Sequence, residues 1–222
     1  MQLLHENAGD NTVMNLMLDE IFENELINNL LQKEEITEYL NKVYESNRAV
    51  YEHNIRVARM AVHVAASLNL SEVEMVEIGV GALLHDIGLC AINVPYMEID
   101  QESYTPEQMF EYKKHTLYGI EEVERDYRIS NESKKIILFH HEKKDKSGYP
   151  FQQDNITINS IGVKIVAVVD SFENRVSGIG HRKVSAEKAM NYVRLNRDNY
   201  FDERVVDCFF KIYEEENKCI NS

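Results

Sequence analysis

The chain has 222 residues, 44% of them hydrophobic and 28% charged, with a formal net charge of −14. So acidic a chain lacks the basic face that a nucleic-acid polymer requires, yet it admits a small anionic substrate, because bound metal ions reverse the field inside a cleft. With 9 Gly, 3 Pro and no Trp, the composition favours an all-α protein of one or two domains with a sizeable core.

Cys90, Cys208 and Cys219 form no CxxC pair and read as reduced thiols of a cytoplasmic protein. The opening Met1-Gln2-Leu3-Leu4-His5-Glu6 has no basic segment ahead of an apolar one, and no apolar run is long enough to span a bilayer, so no membrane association is expected. Between about Asn11 and Gln32, Val13, Met17 and Ile21 make one row at helical spacing, and Phe22, Leu26 and Leu30 another. Lys33-Glu34-Glu35 interrupts the pattern before a second helix through Ile36, Leu40 and Val43. Residues 1–47 thus read as a short N-terminal helical extension: a cap on the main body, or the surface for a homodimer contact or a signalling partner.

From Arg48 to Leu68 a helix carries His53, Val57, Ala61 and Val64 on one face. Ser71 and Glu74 make a capping box for the next helix, which runs through Gly81-Ala82-Leu83-Leu84 and delivers His85-Asp86, with Gly88 as its closing residue. A loop follows through Pro95. Thr105-Pro106-Glu107-Gln108 then starts a helix that carries His115. Ser130 or Asn131 opens another helix ending in Ile136-Ile137-Leu138-Phe139-His140-His141-Glu142, and Lys143 to Asn159, with Gly148-Tyr149-Pro150 inside it, reads as loop. Ser160 to Ser177 is helical, and Asp170 lies on its apolar stripe with Val163, Val166 and Ala167. Amphipathic helices from Ser185 and from Asp202 finish the chain.

Any one of these histidines alone is more often a core or surface residue than a ligand. Five of them (His53, His85, His115, His140, His141), with the two carboxylates Asp86 and Asp170, fall at apolar faces or ends of five separate helices, which packing alone does not explain. Imidazole and oxygen donors suit Mn, Fe, Zn or Ni, and a carboxylate shared by two ions makes a dinuclear centre. No thiolate belongs to the pattern, which argues against a structural zinc site. His5, His63 and His181 fall outside it and are assigned to the surface.

An early helical His, then His-Asp, a lone His, His-His, Gly-Tyr-Pro and a late Asp: in this order the chain resembles the HD-GYP branch of the HD phosphohydrolases. The resemblance covers about Arg48 to Arg197. It is carried by Leu84-His85-Asp86-Ile87-Gly88, by His140-His141-Glu142-Lys143-Lys144-Asp145-Lys146-Ser147-Gly148-Tyr149-Pro150, by Lys164-Ile165-Val166-Ala167-Val168-Val169-Asp170, and by His115 with Gly119, where Thr116 replaces a proline. It implies an HD-type helical bundle over residues 48–222 that opens a cyclic dinucleotide, chiefly cyclic di-GMP, using divalent metals (Fe, Mn, Ni or Zn). One metal would be held by His53, His85, Asp86 and Asp170. The second would share Asp86 as a bridge and add His115, His140 and His141, with a hydroxide between the two attacking phosphorus in line. By the same resemblance Asp86 and Tyr149 are catalytic, and Gly148, Tyr149, Pro150 and Arg182 meet the substrate.

The chain departs from that pattern at four places. Leu89 stands where the family usually has a phosphate-facing Lys. Ala49 stands where members with a third metal have Glu, so two metals are expected. Ile179-Gly180-His181-Arg182 replaces an Arg-x-Tyr-Arg segment, and Lys146 replaces a Gly after Asp145. Each lost charge-assisted contact to phosphate is worth roughly 1.5–3 kcal/mol; Lys143, Lys144 and Lys146 are candidates to compensate. Two alternatives stay open: a signalling module that keeps metals and binds a nucleotide or protein without turnover, and a phosphohydrolase acting on another phosphoester.

Overall fold

The computed structural model describes residues 24–93, 95, 100–152 and 159–220, with side chains as far as residue 215 in the last helix. The described residues form α-helices joined by turns and two short 3-10 segments, the all-α architecture expected. The helices are α1 (Glu25–Leu30), α2 (Glu34–Ser46), α3 (Arg48–Ser67), α4 (Glu72–Leu84), α5 (Pro106–Lys113), α6 (His115–Val123), α7 (Asn131–Phe139), α8 (Ile161–Ser177), α9 (Ala186–Leu195) and α10 (Glu203–Ile220). Most of the first sequence-expected helix, including Val13, Met17 and Ile21, lies outside the described residues, as does His5.

Side chains that bond to the first free backbone N–H groups set the helix starts. Asn24, Asn47, Ser71, Thr105, Ser130, Ser160 and Ser185 each accept from the first turn of the helix they precede, a cap worth about 1 kcal/mol apiece. Both expected capping boxes, Ser71/Glu74 and Thr105/Gln108, are present. Gly178, with φ 86°, closes α8 in the left-handed conformation that glycine adopts at little cost.

The heart of the molecule is a ring in which α3 packs on α4, α4 on α7, α7 on α8, and α8 back on α3. Val57, Ala61 and Val64 of α3, Leu83 and Leu84 of α4, Ile136 and Ile137 of α7, and Val166, Val169 and Phe172 of α8 fill it and are buried. Each large apolar side chain among them contributes about 1.5–3 kcal/mol relative to exposure. Ile27, Leu30, Ile36, Leu40 and Val43, from α1 and α2, join the same core. Among the described residues no helix is long and apolar enough to cross a membrane.

Three helix ends differ from expectation: α7 stops at Phe139, which leaves His140, His141 and Glu142 beyond it. α4 stops at Leu84, so His85 and Asp86 lie just past it, and Gly88 belongs to a 3-10 turn (Ile87–Ala91) rather than to a helix cap. The helix from Pro106 stops at Lys113, and His115 opens a new one, α6. The segments that follow the ends of α4 and α5 meet. The Gly88 backbone is pressed against the start of α6, where a Cβ would stand 1.9 Å from the His115 carbonyl oxygen and 2.5 Å from the Gly119 nitrogen.

Candidate metal centre

His53 projects from the buried face of α3. Its Nδ1 bonds Glu173 Oε2, while its Nε2 faces Asp170 Oδ1 at 3.1 Å and His85 Nε2 at 3.3 Å. The backing is built at helical spacing on both sides. Glu173 lies three residues beyond Asp170 on α8 and is held by Arg56, three residues beyond His53 on α3. Asn174 Nδ2 donates to Asp170 Oδ1 at 2.7 Å. Burial alone would strip His53 of its proton, but Glu173 and Asp170 overcome it and hold the imidazolium up, to about 10. His85 is raised in the same way, Asp86 and Asp170 overriding burial. Burial also opposes ionisation of Asp170 and Glu173. The neighbouring histidines hold the Asp170 carboxyl well below its ordinary range, and His53 with Arg56 brings Glu173 to about 2.

In the second group His115 and His140 are oriented by main chain, with no carboxylate at Nδ1 such as His53 has. His115 Nδ1 donates to the Tyr112 carbonyl at 2.8 Å, and His140 Nδ1 shares the Ile136 and Ile137 carbonyls at 3.1 Å. These carbonyls lie in the last turns of α5 and α7, where they keep a lone pair for a side chain; that of Ile136 also takes the His140 N–H at 3.1 Å. The Nε2 atoms of His115 and His140 then lie 3.4 Å apart, and His141 packs its ring 4.1 Å from that of His140. Burial pushes all three imidazoles down, His140 to about 3 with help from His85 and His115.

Asp86 stands between the groups. Its Oδ2 is 3.5 Å from His85 Nε2 and 3.7 Å from His53 Nε2, and its Oδ1 is 3.4 Å from His115 Nε2 and 3.8 Å from His140 Nε2. A cation bound at about 2.1 Å keeps its donors roughly 3.0–3.5 Å apart, close to these separations. The donors of His53, His85 and Asp170 lie within 4.8 Å of one another, as do those of Asp86, His115, His140 and His141. With Nδ1 of His85 bonded to the Ala82 carbonyl at 2.7 Å, as Nδ1 is in His115 and His140, the Nε2 lone pairs converge on common points. Such a donor set fits divalent cations, and burying Asp86 and Asp170 as carboxylates requires that positive charge be near.

The Gly-Tyr-Pro turn folds back over this centre. A Cβ on Gly148 would meet the His141 carbonyl oxygen at 2.3 Å, so the turn lies closer than any side chain allows. Buried Glu142 accepts from the Phe151 N–H at 2.6 Å, and the Tyr149 N–H donates to the His141 carbonyl at 3.2 Å. The Tyr149 ring stacks on His141 with centroids 4.6 Å apart, and burial keeps its phenol protonated far into the alkaline range.

A cleft of ≈ 270 Å³ opens beside His140, His141, Asp170, Gly148 and Tyr149. Pro150 is half-buried and outside its lining, and Arg182 is exposed, held through its main-chain N–H to Asp100 Oδ2 at 3.1 Å. Leu89 and Ile179 are buried and also outside the lining. Of the three candidate lysines Lys143 lines the cleft, whereas Lys144 pairs with Glu203 at 3.1 Å and Lys146 is exposed. His63 and His181 are half-buried rather than surface residues, and His181 lines the cleft. Two left-handed glycines, Gly178 and Gly180, turn the chain around His181, and the Gly180 carbonyl accepts from the Gln101 N–H at 3.0 Å. Sequence reasoning also passed over Glu173, Arg56 and Asn174, although each repeats at helical spacing from a residue it had singled out.

Fold and site together define an α-helical HD-type protein with two adjoining His/Asp clusters able to bind metal. A family model described as an HD domain matches residues 32–205, and the chain belongs to that family, which is metal-dependent. Among curated relatives, a cyclic di-GMP phosphodiesterase of Thermotoga maritima is 32% identical over 187 residues, covering 82% of this chain and 50% of that protein. A 3'3'-cGAMP-specific phosphodiesterase 2 of Vibrio cholerae is 27% identical over 191 residues, covering 82% and 35%. The chain therefore spans half or less of the length of these relatives. The fold is shared with an HDG"Y"P protein from Bdellovibrio bacteriovorus (TM-score 0.67, 18% identity, 92% of this chain and 70% of that one). It is shared too with the HD domain of the L. monocytogenes phosphodiesterase PgpH (TM-score 0.59, 17% identity, 82% and 98%).

Proposed function

We propose that this chain is a metal-dependent phosphodiesterase domain that opens a cyclic dinucleotide, cyclic di-GMP or a close relative of it. The observation that carries the reading is Asp86, which offers one carboxylate oxygen to each of two histidine groups. The names of the curated relatives support the substrate class. In this reading His53, His85, Asp86 and Asp170 hold one divalent ion, and Asp86, His115, His140 and His141 hold a second, drawn from Fe, Mn, Ni or Zn. When bound, such ions supply the positive charge that a five-coordinate phosphorus needs and lower the pKa of an attacking water.

The chain's own residues do the rest. Glu173, with Arg56 behind it, fixes the His53 ring, and the helix-end carbonyls fix His85, His115 and His140, so no donor has to reorganise as charge develops. Tyr149, protonated and stacked on His141, offers a hydrogen-bond donor at the wall of the cleft. Residues 48–222 carry this chemistry, and residues 1–47 serve as an extension open to a dimer contact or a signalling partner. A second reading, nucleotide binding without turnover, is favoured by the burial of Leu89 and Ile179, which leaves the cleft without two cations that the HD-GYP pattern provides.

Purified protein loaded with Mn or Fe is expected to convert cyclic di-GMP or 3'3'-cGAMP to linear product. Asp86→Ala, removing several kcal/mol of transition-state stabilisation, is expected to slow this roughly 10³-fold and to lower metal content at both groups. A metal-replete wild type that leaves both nucleotides uncut overturns the phosphodiesterase reading and favours the second.

A further inference from the structure

In a chain of net charge −14, the cleft beside the metal centre is lined by three cations: Lys113, Lys143 and Arg175. Each rests on a tyrosine ring. Lys113 Nζ lies 5.4 Å from the Tyr149 centroid, Lys143 Nζ 3.9 Å from that of Tyr200, and Arg175 Cζ 3.4 Å from that of Tyr192. Among the described residues none of the three forms an ion pair. Arg175 is the most constrained. Its Nη1 donates to the Ser171 carbonyl at 2.8 Å and to Ser171 Oγ at 3.0 Å, so one turn of α8 and one aromatic face hold the guanidinium in place.

Arg175 follows Asp170 by five residues on α8, about 7.5 Å along the helix axis. Burial, then the Tyr192, Asp170, Glu102 and Asp100 groups, set its environment, with those carboxylates beyond ion-pair distance. Lys143 lines the same cleft, its ammonium set on the Tyr200 ring. His181, brought to about 4 chiefly by burial, adds no charge at neutral pH. Three mutually repelling cations held on rings beside a metal centre leave unspent attraction for an anion.

We propose that Arg175, with Lys143 in the lining of the same cleft, anchors a second phosphate of the substrate while another phosphate of the same molecule lies at the metal centre. The inference rests on the phosphodiester reading above and adds to it a selection for substrates that carry two phosphates. Guanidinium is suited to the part because it meets phosphate through two parallel N–H bonds.

The test compares Arg175→Met and Arg175→Lys with wild type in metal-loaded protein. Binding of cyclic di-GMP and turnover of both cyclic di-GMP and bis(p-nitrophenyl) phosphate, which has a single phosphate, are measured. Arg175→Met is expected to weaken cyclic di-GMP binding by roughly 10–100-fold and to raise its KM more than it lowers kcat, with the loss on the single-phosphate ester at least about tenfold smaller. Arg175→Lys recovers part of the loss. Lys143→Met, a change in a different element, is expected to give a smaller loss with the same substrate bias. Wild type that binds but does not cleave, with binding still dependent on Arg175, sinks the catalytic reading and keeps the anchor. Rapid cleavage unchanged by Arg175→Met and Lys143→Met, or an equal loss on both substrates, sinks the anchor and keeps the catalytic reading. A wild type that neither binds nor cleaves sinks both.

Discussion

His53 and His140 carry the same ring, both buried, within 4 Å of the same Asp86 carboxylate. Yet one holds its proton to about 10 and the other gives it up at about 3. Burial acts on both in the same direction, so the difference lies in their neighbours: Glu173 and Asp170 raise His53, whereas His85 and His115 push His140 further down. Behind His53 are an ionised carboxylate and its arginine, Glu173 and Arg56; behind His140 are two main-chain carbonyls. A group oriented by charges imposes a negative potential that any cation feels, proton or metal. One oriented by carbonyls imposes direction with far less charge. The first therefore responds to loss of a charge, and the second to displacement of the backbone.

Gly88→Ala attacks the carbonyl-oriented group and has the largest expected effect. The new Cβ would overlap the His115 carbonyl oxygen and approach the Gly119 nitrogen, neither of which is the end of a flexible side chain. The start of α6 has to move. A loss of about 3 kcal/mol or more is expected, lowering Tm by roughly 6–12 °C. In a calorimetric metal titration the step belonging to His115, His140 and His141 should weaken first. If the His53 step were the one lost, the division between charge-held and carbonyl-held groups would be wrong.

Glu173→Gln attacks the other group and should do less. The amide keeps the shape and a hydrogen-bond partner for His53 Nδ1 but removes the charge. Metal affinity at the His53 group is expected to fall roughly 10–100-fold, with the second step shifted by no more than about threefold. Equal losses at both steps would show that the Glu173 charge acts on the centre as a whole.

These contrasts bear on what was legible in the amino-acid order. The clustering of candidate ligands could be read because a His or Asp on an apolar stripe breaks the pattern of its helix, as His53 and Asp170 do. Helix starts could be read because Ser71 with Glu74 and Thr105 with Gln108 are local chemistry. Where α4 and α5 stop could not, since the segments past both ends meet in the contact of Gly88 with His115, residues far apart in the chain. His181 escaped for the same reason, its place depending on how the Gly178–Gly180 turn meets Gln101. Glu173 and Arg56 were within reach. Each lies three residues from a residue already singled out, and a charge at that spacing from a buried ligand is a readable sign of its support.

The smallest effect is on pH dependence, and it separates the groups without mutation. In the metal-free protein His53 has its pKa raised from 6.5 to about 10 by Glu173 and Asp170 against the pull of burial. The stability this contributes is fully present below 6.5 and is lost as pH rises through about 10. Over the same range His140, at about 3, stays neutral, as do His115 and His141, both lowered. A divalent ion entering the His53 group between about pH 7 and 9 must displace a proton, whereas one entering the other group finds its imidazoles free. Apparent affinity at the first is therefore expected to rise by at least about tenfold per pH unit, and more steeply where His85, which is raised as well, also gives up a proton; at the second it is expected to stay nearly flat. Titrations in buffers of different ionisation enthalpy count the protons released at each step. In Glu173→Gln the count at the first step should fall toward that at the second, because the charge that held the proton is gone. Equal proton counts at both steps of the wild type would mean that the two groups are not held by different means.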